Sequence, residues 1–246
     1  MQDSSRQISV SVCIPAFNEE AVIADAVAEA VEVLEALPGD HEILVVNDGS
    51  ADRTGEILSE LSRQVPMLRV LEHEKNLGNP AAQKTLVGAA RGRFIFHIGA
   101  DREWRMDEIP RMLAKLEEGY DIVIGVRRKK QYPLARKVVS EGFNLLVALL
   151  WGKHFGDLGS LKMARASLWT RLPFESNSAF LHAERVLVAY RNGARIATVP
   201  VDHAARKTGK SAYTSPAQPL RALADLLRFR FSPRSRYHMT EDWREH

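Results

Sequence analysis

Cysteine is almost absent from this chain of 246 residues. Cys13 stands alone, so no disulfide can form within the chain, which suits a reducing compartment. Long apolar runs are missing as well. The longest, FNLLVALLW from Phe143 to Trp151, falls far short of the roughly 20 residues a spanning helix needs. The amino-terminal MQDSSRQ has no apolar stretch of the signal-peptide kind, so export is not expected and a cytoplasmic setting is. There are no internal repeats and no low-complexity segment. Neither phosphate-cradling glycine pattern occurs: no G-x-G-x-x-G follows the first strand pattern, and no G-x-x-x-x-G-K-[ST] is found anywhere. A nucleotide bound here would therefore need carboxylates for its ribose and base, and a divalent cation for its diphosphate.

Hydrophobic residues at 45% and charged residues at 26% make an ordinary globular balance, enough for one large domain or two small ones. The net charge of +3 is small, but basic residues cluster in RRKK (127–130) and RFRFSPRSR (228–236). Anionic partners follow from those clusters: phosphates, an acidic lipid surface or nucleic acid. The basic clusters lack regularly interleaved aromatics and match no nucleic-acid module, so nucleic acid is not expected as a partner.

Strand and helix patterns alternate through the first half. ISVSVCIP, HEILVVND, MLRVLEHE, RFIFHIGA and YDIVIGVR read as strands. Between them, 19–37, 51–64, 80–92 and 106–119 carry apolar residues at spacings of three and four, and several open on acidic residues. Such βαβ units predict an α/β protein with a mostly parallel sheet covered on both faces. Ligands are received at the carboxyl ends of such strands. Those ends carry Asn18 and Glu19, then Asp48, then Asn76 and Gly78, then Asp101 and Glu103, then Arg127. Any one of them reads as an ordinary turn. Five on one rim predict a site.

In their order and spacing these pieces resemble the family 2 inverting glycosyltransferases of GT-A fold, and within them the dolichyl- or polyprenyl-phosphate sugar synthases. The resemblance runs from about Ile8 to Tyr213. It rests on IPAFNEE (14–20), VVNDGSADRT (45–54), NLGNPAAQKTLVGAARG (76–92), GADREW (99–104), DIVIGVR (121–127), GDLGSLKM (156–163), LHAE (181–184) and VPVDHAARKTGKSAY (199–213). It implies one Rossmann-like domain: a nucleotide-sugar half over 8–127, an acceptor half over 128–213, and a basic helix and tail over 214–246.

The resemblance also implies roles. Pro15, Ala16 and Glu19 would line the nucleotide pocket, Asp48 would hold the base, and Gly78 and Lys84 would lie near the diphosphate. Glu19 also reads as a first-turn carboxylate favouring the helix dipole, and Lys84 as a solvated helix charge. The family's D-x-D is here Gly99-Ala100-Asp101, lacking the first carboxylate. Asp101 would hold Mg²⁺ or Mn²⁺, with Glu103 either assisting or capping the following helix; such a hard cation commonly keeps waters and substrate phosphates beside one or two carboxylates. Arg127, Arg136 and Ser140 match positions that hold an acceptor phosphate, and Asp157 would support the site near the sugar. Glu184 is the candidate catalytic carboxylate for a hydroxyl acceptor, and a sugar-binding group if the acceptor is a lipid phosphate. Arg206, in an R-x-x-G-x-S element with Gly209 and Ser211, would neutralise the leaving diphosphate. His182 and His203 do not make an H-E-x-x-H, so zinc is not expected.

The implied activity is sugar transfer with inversion from a GDP- or UDP-linked donor to an acceptor such as a polyprenyl phosphate. It would occur beside a membrane surface or a membrane-protein partner. A degenerate relative that binds a nucleotide or anionic lipid without turnover, or a hydroxyl-directed transferase, stays open.

Overall fold

The computed structural model describes residues 8–128, 134–173, 175–176, 178–203, 217–232, 237, 239 and 243, with the side chains of 134–136 and 217 outside that set. The predicted alternation is present from the start. β1 (Val10–Ala16), α1 (Ile23–Glu35), β2 (His41–Asn47), α2 (Thr54–Gln64), β3 (Leu68–Glu72), α3 (Asn79–Ala89), β4 (Phe94–His97), α4 (Ile109–Glu117) and β5 (Ile122–Arg127) follow one another. After them come α5 (Leu134–Trp151), β6 (Lys162–Arg165), α6 (Ala166–Trp169), α7 (Leu181–Arg191), β7 (Ile196–Val201) and α8 (Ala217–Phe231).

All seven strands join one sheet in the order β3-β2-β1-β4-β6-β5-β7. β1 pairs in parallel with β2 on one side and β4 on the other, and β5 pairs in parallel with β7. β6 runs antiparallel to both its neighbours. Strands buried on both faces carry continuous apolar runs, and β1 and β2 show this. One face packs Val12, Ile14, Val45 and Phe96 against α1, α2 and α4. The other packs Cys13, Leu44, Ile95 and Ala164 under α3, α6 and α7, together with Val147 of α5 and Leu226 of α8. The apolar run 143–151 is thus divided: Val147 is core, whereas Leu145 and Leu149 are exposed.

α1 starts at Ile23, four residues later than its apolar period suggests. Glu19 therefore precedes the helix, and its carbonyl accepts the N–H groups of Val22 and Ile23.

The amino end of the sheet is tied by a buried carboxylate. Glu42 accepts from Ser11 Oγ and the Arg91 N–H at 2.6 Å each, and from an Arg69 guanidinium N–H at 2.5 Å. Ser11 in turn accepts from the Gly92 N–H. One acid thus joins β1, β2, β3 and the turn before β4, at the edge opposite the strand carboxyl ends. Glu42→Ala should lower stability by about 3 kcal/mol, since it strands buried donors and a partly buried arginine. Urea unfolding would show this, and ligand affinity at the far end of the sheet should be unchanged in the folded protein.

Candidate active site

Strand order reverses beside β1, since β2 and β3 build outward on one side and β4 starts the other. Loops leaving β1 and β4 therefore diverge and open a crevice. A cavity of about 620 Å³ lies there. Pro15, Ala16, Glu19, Asp48, Gly78, Asp101 and Glu103 all line it, drawn from the ends of four strands.

The β1 loop is held by the β2 loop. The Asn18 N–H donates to Ser50 Oγ, and the Ala51 N–H returns a bond to Asn18 Oδ1. The Glu19 N–H donates to Thr54 Oγ1 at 2.8 Å. The Glu20 N–H donates to Asp52 while the Arg53 N–H donates to Glu20 Oε2. Asn18 and Glu20 are thus fasteners of the two loops, and of the three polar residues after β1 only Glu19 lines the cavity.

Asp48 is heavily used. Its Oδ1 pairs with His73 Nδ1 at 2.6 Å and accepts the Leu77 N–H, and its Oδ2 accepts the Gly78 N–H at 2.8 Å. His73 Nε2 is 3.0 Å from Thr85 Oγ1. Asp48 therefore shapes the 73–78 segment as well as lining the cavity. Gly49 permits the approach: with φ of +68°, an added Cβ would sit 2.3 Å from the Lys75 carbonyl carbon.

The β4 loop carries Asp101, whose Oδ1 accepts the Glu103 N–H at 3.2 Å. At Gly99 a Cβ would lie 3.2 Å from that same oxygen, so the missing side chain makes room for Asp101 to fold back. Arg102 has φ of +54°, a left-handed conformation uncommon outside glycine and asparagine. Asp25 and Glu29 of α1 grip its guanidinium. Glu103 lies 3.8 Å from His203, whose ring meets Trp104 edge-on. Asp101 and Glu103 supply oxygen ligands to one cavity, a donor set that suits Mg²⁺ or Mn²⁺. Among the described residues no group of three or more His, Cys, Asp or Glu is arranged to hold a metal ion, so most of such an ion's shell would come from substrate and water.

Other expected residues lie elsewhere. Lys84 is exposed on α3 and does not line the cavity. Arg127 and Asp157 are buried against each other in a bidentate pair at 2.5 and 2.7 Å, with Arg127 also 5.3 Å from the Trp104 ring centroid. Ser140 is half-buried on α5, the helix that also carries the Arg136 backbone; the Arg136 side chain lies outside the described residues. Arg206, Gly209 and Ser211 also lie outside the described residues. Glu184 is buried, accepts the Ser176 N–H at 3.0 Å and does not line the cavity.

The far wall holds residues that motif reading overlooked. Because β6 runs backwards, its first residue, Lys162, stands beside His97, the last of β4, on the rim where parallel strands end. Lys162 Nζ donates to the Leu158 and Ser160 carbonyls at 2.6 and 3.0 Å. α7 turns Leu181, His182 and Arg185 toward the cavity, positions i, i+1 and i+4 of one helical face. Arg185 donates to the Trp169 carbonyl, and its guanidinium lies 3.9 Å from the Trp169 ring centroid. Trp169 Nε1 donates to His97 Nε2 at 2.9 Å.

Burial dominates the electrostatics of this wall. It lowers the Lys162 pKa to about 7; Asp157 opposes the shift, and Arg127 and Arg185 add to it. Burial, with the charges of Lys162 and Arg185, pushes His182 down to about 3. Burial also pushes His97 well below its ordinary value, helped by Arg185, His182 and Lys162. Arg185 is lowered by burial, with Glu184 pulling the other way. Because the folded Lys162 pKa is depressed, the unfolded chain binds the extra proton between pH 7 and 10.5. Stability should accordingly rise with pH across that window. The urea midpoint of wild type should rise relative to that of Lys162→Met as pH is raised from 7 toward 10. Parallel pH curves would show that the amine is not buried as described.

Comparison with known proteins agrees with this geometry. Residues 11–180 match the family model for glycosyl transferase family 2. The chain is 32% identical over 218 residues to an undecaprenyl-phosphate 4-deoxy-4-formamido-L-arabinose transferase from Salmonella choleraesuis, covering 87% of this chain and 65% of the relative. The corresponding Salmonella paratyphi B protein matches equally. The chain thus spans just under two thirds of the length of these relatives. Among solved structures, glucosyl-3-phosphoglycerate synthase from Mycobacterium tuberculosis, with Mn²⁺, UDP and phosphoglyceric acid, superposes with a TM-score of 0.72 at 23% identity. That match covers 93% of this chain and 80% of the synthase. Its complex with Mg²⁺ and UDP gives 0.70 at 22% identity, covering 91% and 79%. These likenesses establish the GT-A fold, and with the match over 11–180 they show that the chain belongs to glycosyl transferase family 2.

Proposed function

We propose that this chain transfers a sugar, with inversion, from a nucleotide-diphosphate sugar to a polyprenyl phosphate. The carrying observation is that one cavity joins the nucleotide-side residues Pro15, Ala16, Glu19 and Asp48 to the Asp101 carboxylate. The undecaprenyl-phosphate relatives supply the acceptor class, and the UDP complexes of the fold neighbours support a uridine donor.

In this reading Glu19 accepts from a ribose hydroxyl or base N–H, and Asp48 with the 73–78 segment frames the base. Gly78 brings the amino end of α3, with its partial positive charge, toward the diphosphate. Asp101, with Glu103, would hold Mg²⁺ or Mn²⁺, and such an ion would supply charge neutralisation at the leaving diphosphate. The acceptor oxygen attacks the anomeric carbon from the opposite side. A bond forms to that oxygen, the bond to the donor phosphate breaks, and the nucleoside diphosphate leaves with the electron pair. Arg206 would add positive charge there, and Arg136 and Ser140 would hold the acceptor phosphate; Arg127, chelated by Asp157 and not lining the cavity, would contribute only its charge. An ionised phosphate has no proton to lose, which agrees with a Glu184 bonded to Ser176 outside the cavity.

The assay is radiolabelled sugar transfer from a UDP-sugar pool to a short-chain polyprenyl phosphate with Mn²⁺. Asp101→Ala should lose at least about 100-fold in rate, as expected when charge stabilisation at the leaving group is removed. Glu184→Gln should keep most of its turnover in the folded protein, because no base is required. A dead Glu184→Gln enzyme that still binds donor and acceptor would reassign the acceptor to a hydroxyl.

The chain would work at a membrane surface. None of the described helices is long and apolar enough to cross a membrane. α5 and α8 lie together, with Trp151 stacked on Phe229. Both expose apolar side chains: Val138, Leu145 and Leu149 on one, Leu220, Leu227 and Phe231 on the other, beside the exposed basic groups Lys137, Arg221 and Arg228. Each basic residue adds about 1 kcal/mol near an anionic leaflet. Flotation with phosphatidylglycerol vesicles should carry the chain at low salt and release it as salt rises. Failure to float at low salt would remove the surface role.

A further inference from the structure

Positive charge has been gathered on the wall of the cavity farthest from the nucleotide-side loops. Lys162 comes from the reversed strand and Arg185 from α7, and both are buried, at 4% and 2% exposure. His97 and His182 lie between them and are held neutral, so neither adds repulsion. Asp157 chelates Arg127 and Glu184 accepts from Ser176; Asp157 also acts on Lys162 and Glu184 on Arg185, but burial outweighs both. The two acceptors of Lys162 Nζ are neutral carbonyls. Withdrawing an ammonium and a guanidinium from water costs several kcal/mol each unless an anion compensates.

A purely structural account covers Arg185 in part, since it stacks on Trp169 and bonds its carbonyl. It covers Lys162 less well. A methionine or leucine would fill the same space without the desolvation penalty, and the loop 158–160 needs no charge to be bridged. Both side chains line the cavity that also holds Asp101. Charge-assisted bonds to phosphoryl oxygens are what an ammonium and a guanidinium form best in such a place.

We propose that Lys162 and Arg185 form an oxyanion subsite on the cavity wall that binds a phosphate group carried by a substrate. This rests on reading the cavity as the sugar-transfer site. The phosphate has two possible sources with the same chemistry, the donor diphosphate and the acceptor monophosphate. The subsite is distinct from Arg127, whose guanidinium is held by Asp157, and from the Asp101 side, where charge would be met by a cation.

The test is calorimetric titration of the whole chain in EDTA, comparing wild type with Lys162→Met. UDP is set against uridine, geranyl phosphate against geraniol, and inorganic pyrophosphate is titrated alone. Lys162→Met should weaken UDP or geranyl phosphate by about tenfold or more, the size of one lost charge-assisted bond, and leave uridine and geraniol unchanged. Whichever phosphate suffers identifies the source. If wild type binds neither UDP nor geranyl phosphate, the sugar-transfer reading fails, and the subsite is then decided by whether pyrophosphate binding depends on Lys162. Retention of all three phosphate affinities within about twofold overturns the proposal. Lys162→Gln, which keeps N–H donors for the two carbonyls, should show the same loss. Should neither variant fold, the wild type decides. Near pH 8, binding a phosphate should draw a proton onto Lys162, seen as a heat that varies with buffer ionisation enthalpy. No proton uptake would sink the idea.

Discussion

A reversal of strand order governs this molecule. Once β4 pairs with β1 on the side away from β2, the loops leaving β1 and β4 must part, and a crevice opens above them. Among the described residues, the two non-glycine residues with positive φ, Asn18 and Arg102, sit in those two loops. Backbone strain of this kind persists only where surroundings over-determine it. Here they do: Ser50 and Ala51 bind Asn18 on one side, and Asp25 and Glu29 clamp Arg102 on the other. Both loops are fixed before any ligand arrives, so Glu19 and Asp101 are presented with little further loss of conformational entropy. The Glu42 hub at the opposite end keeps β1, β2 and β3 in register, which is what lets their far ends meet as one rim.

The cavity has an electrical direction. Carboxylates line its nucleotide side and the β4 loop, and cations line the wall from β6 and α7. A substrate pair consisting of a nucleotide sugar and a phosphate fits such a gradient. In the proposed reading, the base and ribose would offer hydrogen-bond donors to the acids, and a substrate phosphate would find positive charge at the other wall. The departure at Gly99 belongs to the same arrangement. A carboxylate there would crowd Asp101 and add negative charge to a donor diphosphate that already brings its own, whereas glycine leaves room for Asp101 to turn back and accept the Glu103 N–H.

Much of this was legible in the chain itself. Continuous apolar strands such as Val12 to Ile14 and Leu44 to Val46, alternating with helical periods, specify a parallel α/β sheet because only that architecture buries both faces. The rim residues followed from asking what stands at strand carboxyl ends, and that question found Glu19, Asp48, Gly78, Asp101 and Glu103. The same question could not find Lys162, because β6 is antiparallel and offers its amino end to the rim. A four-residue strand carries too little pattern to reveal its direction. Arg185 was hidden for another reason. The motif drew attention to Glu184, yet helical geometry sets neighbours 100° apart, and the phase of α7 depends on how Leu181 packs. The dual use of Asp48 was out of reach as well, since its partners lie 25 to 30 residues away and meet it only through the fold.

The choice between a phosphate and a hydroxyl acceptor turns on where protons can go. A hydroxyl must lose one during attack, and its base must hold that proton near neutral pH. His182, at about 3, and His97, further depressed by the cations beside it, are poor bases. Glu184 is bonded to Ser176 behind the wall. Lys162, at about 7, could accept a proton, but only in its neutral form, and an anion placed beside it would restore the charge. Phosphate and lysine therefore fit each other in a way that hydroxyl and lysine do not. An ionised phosphate brings the charge that the buried ammonium needs, and it asks for no base in return. The burial that lowers the Lys162 pKa therefore favours a phosphate over a neutral acceptor.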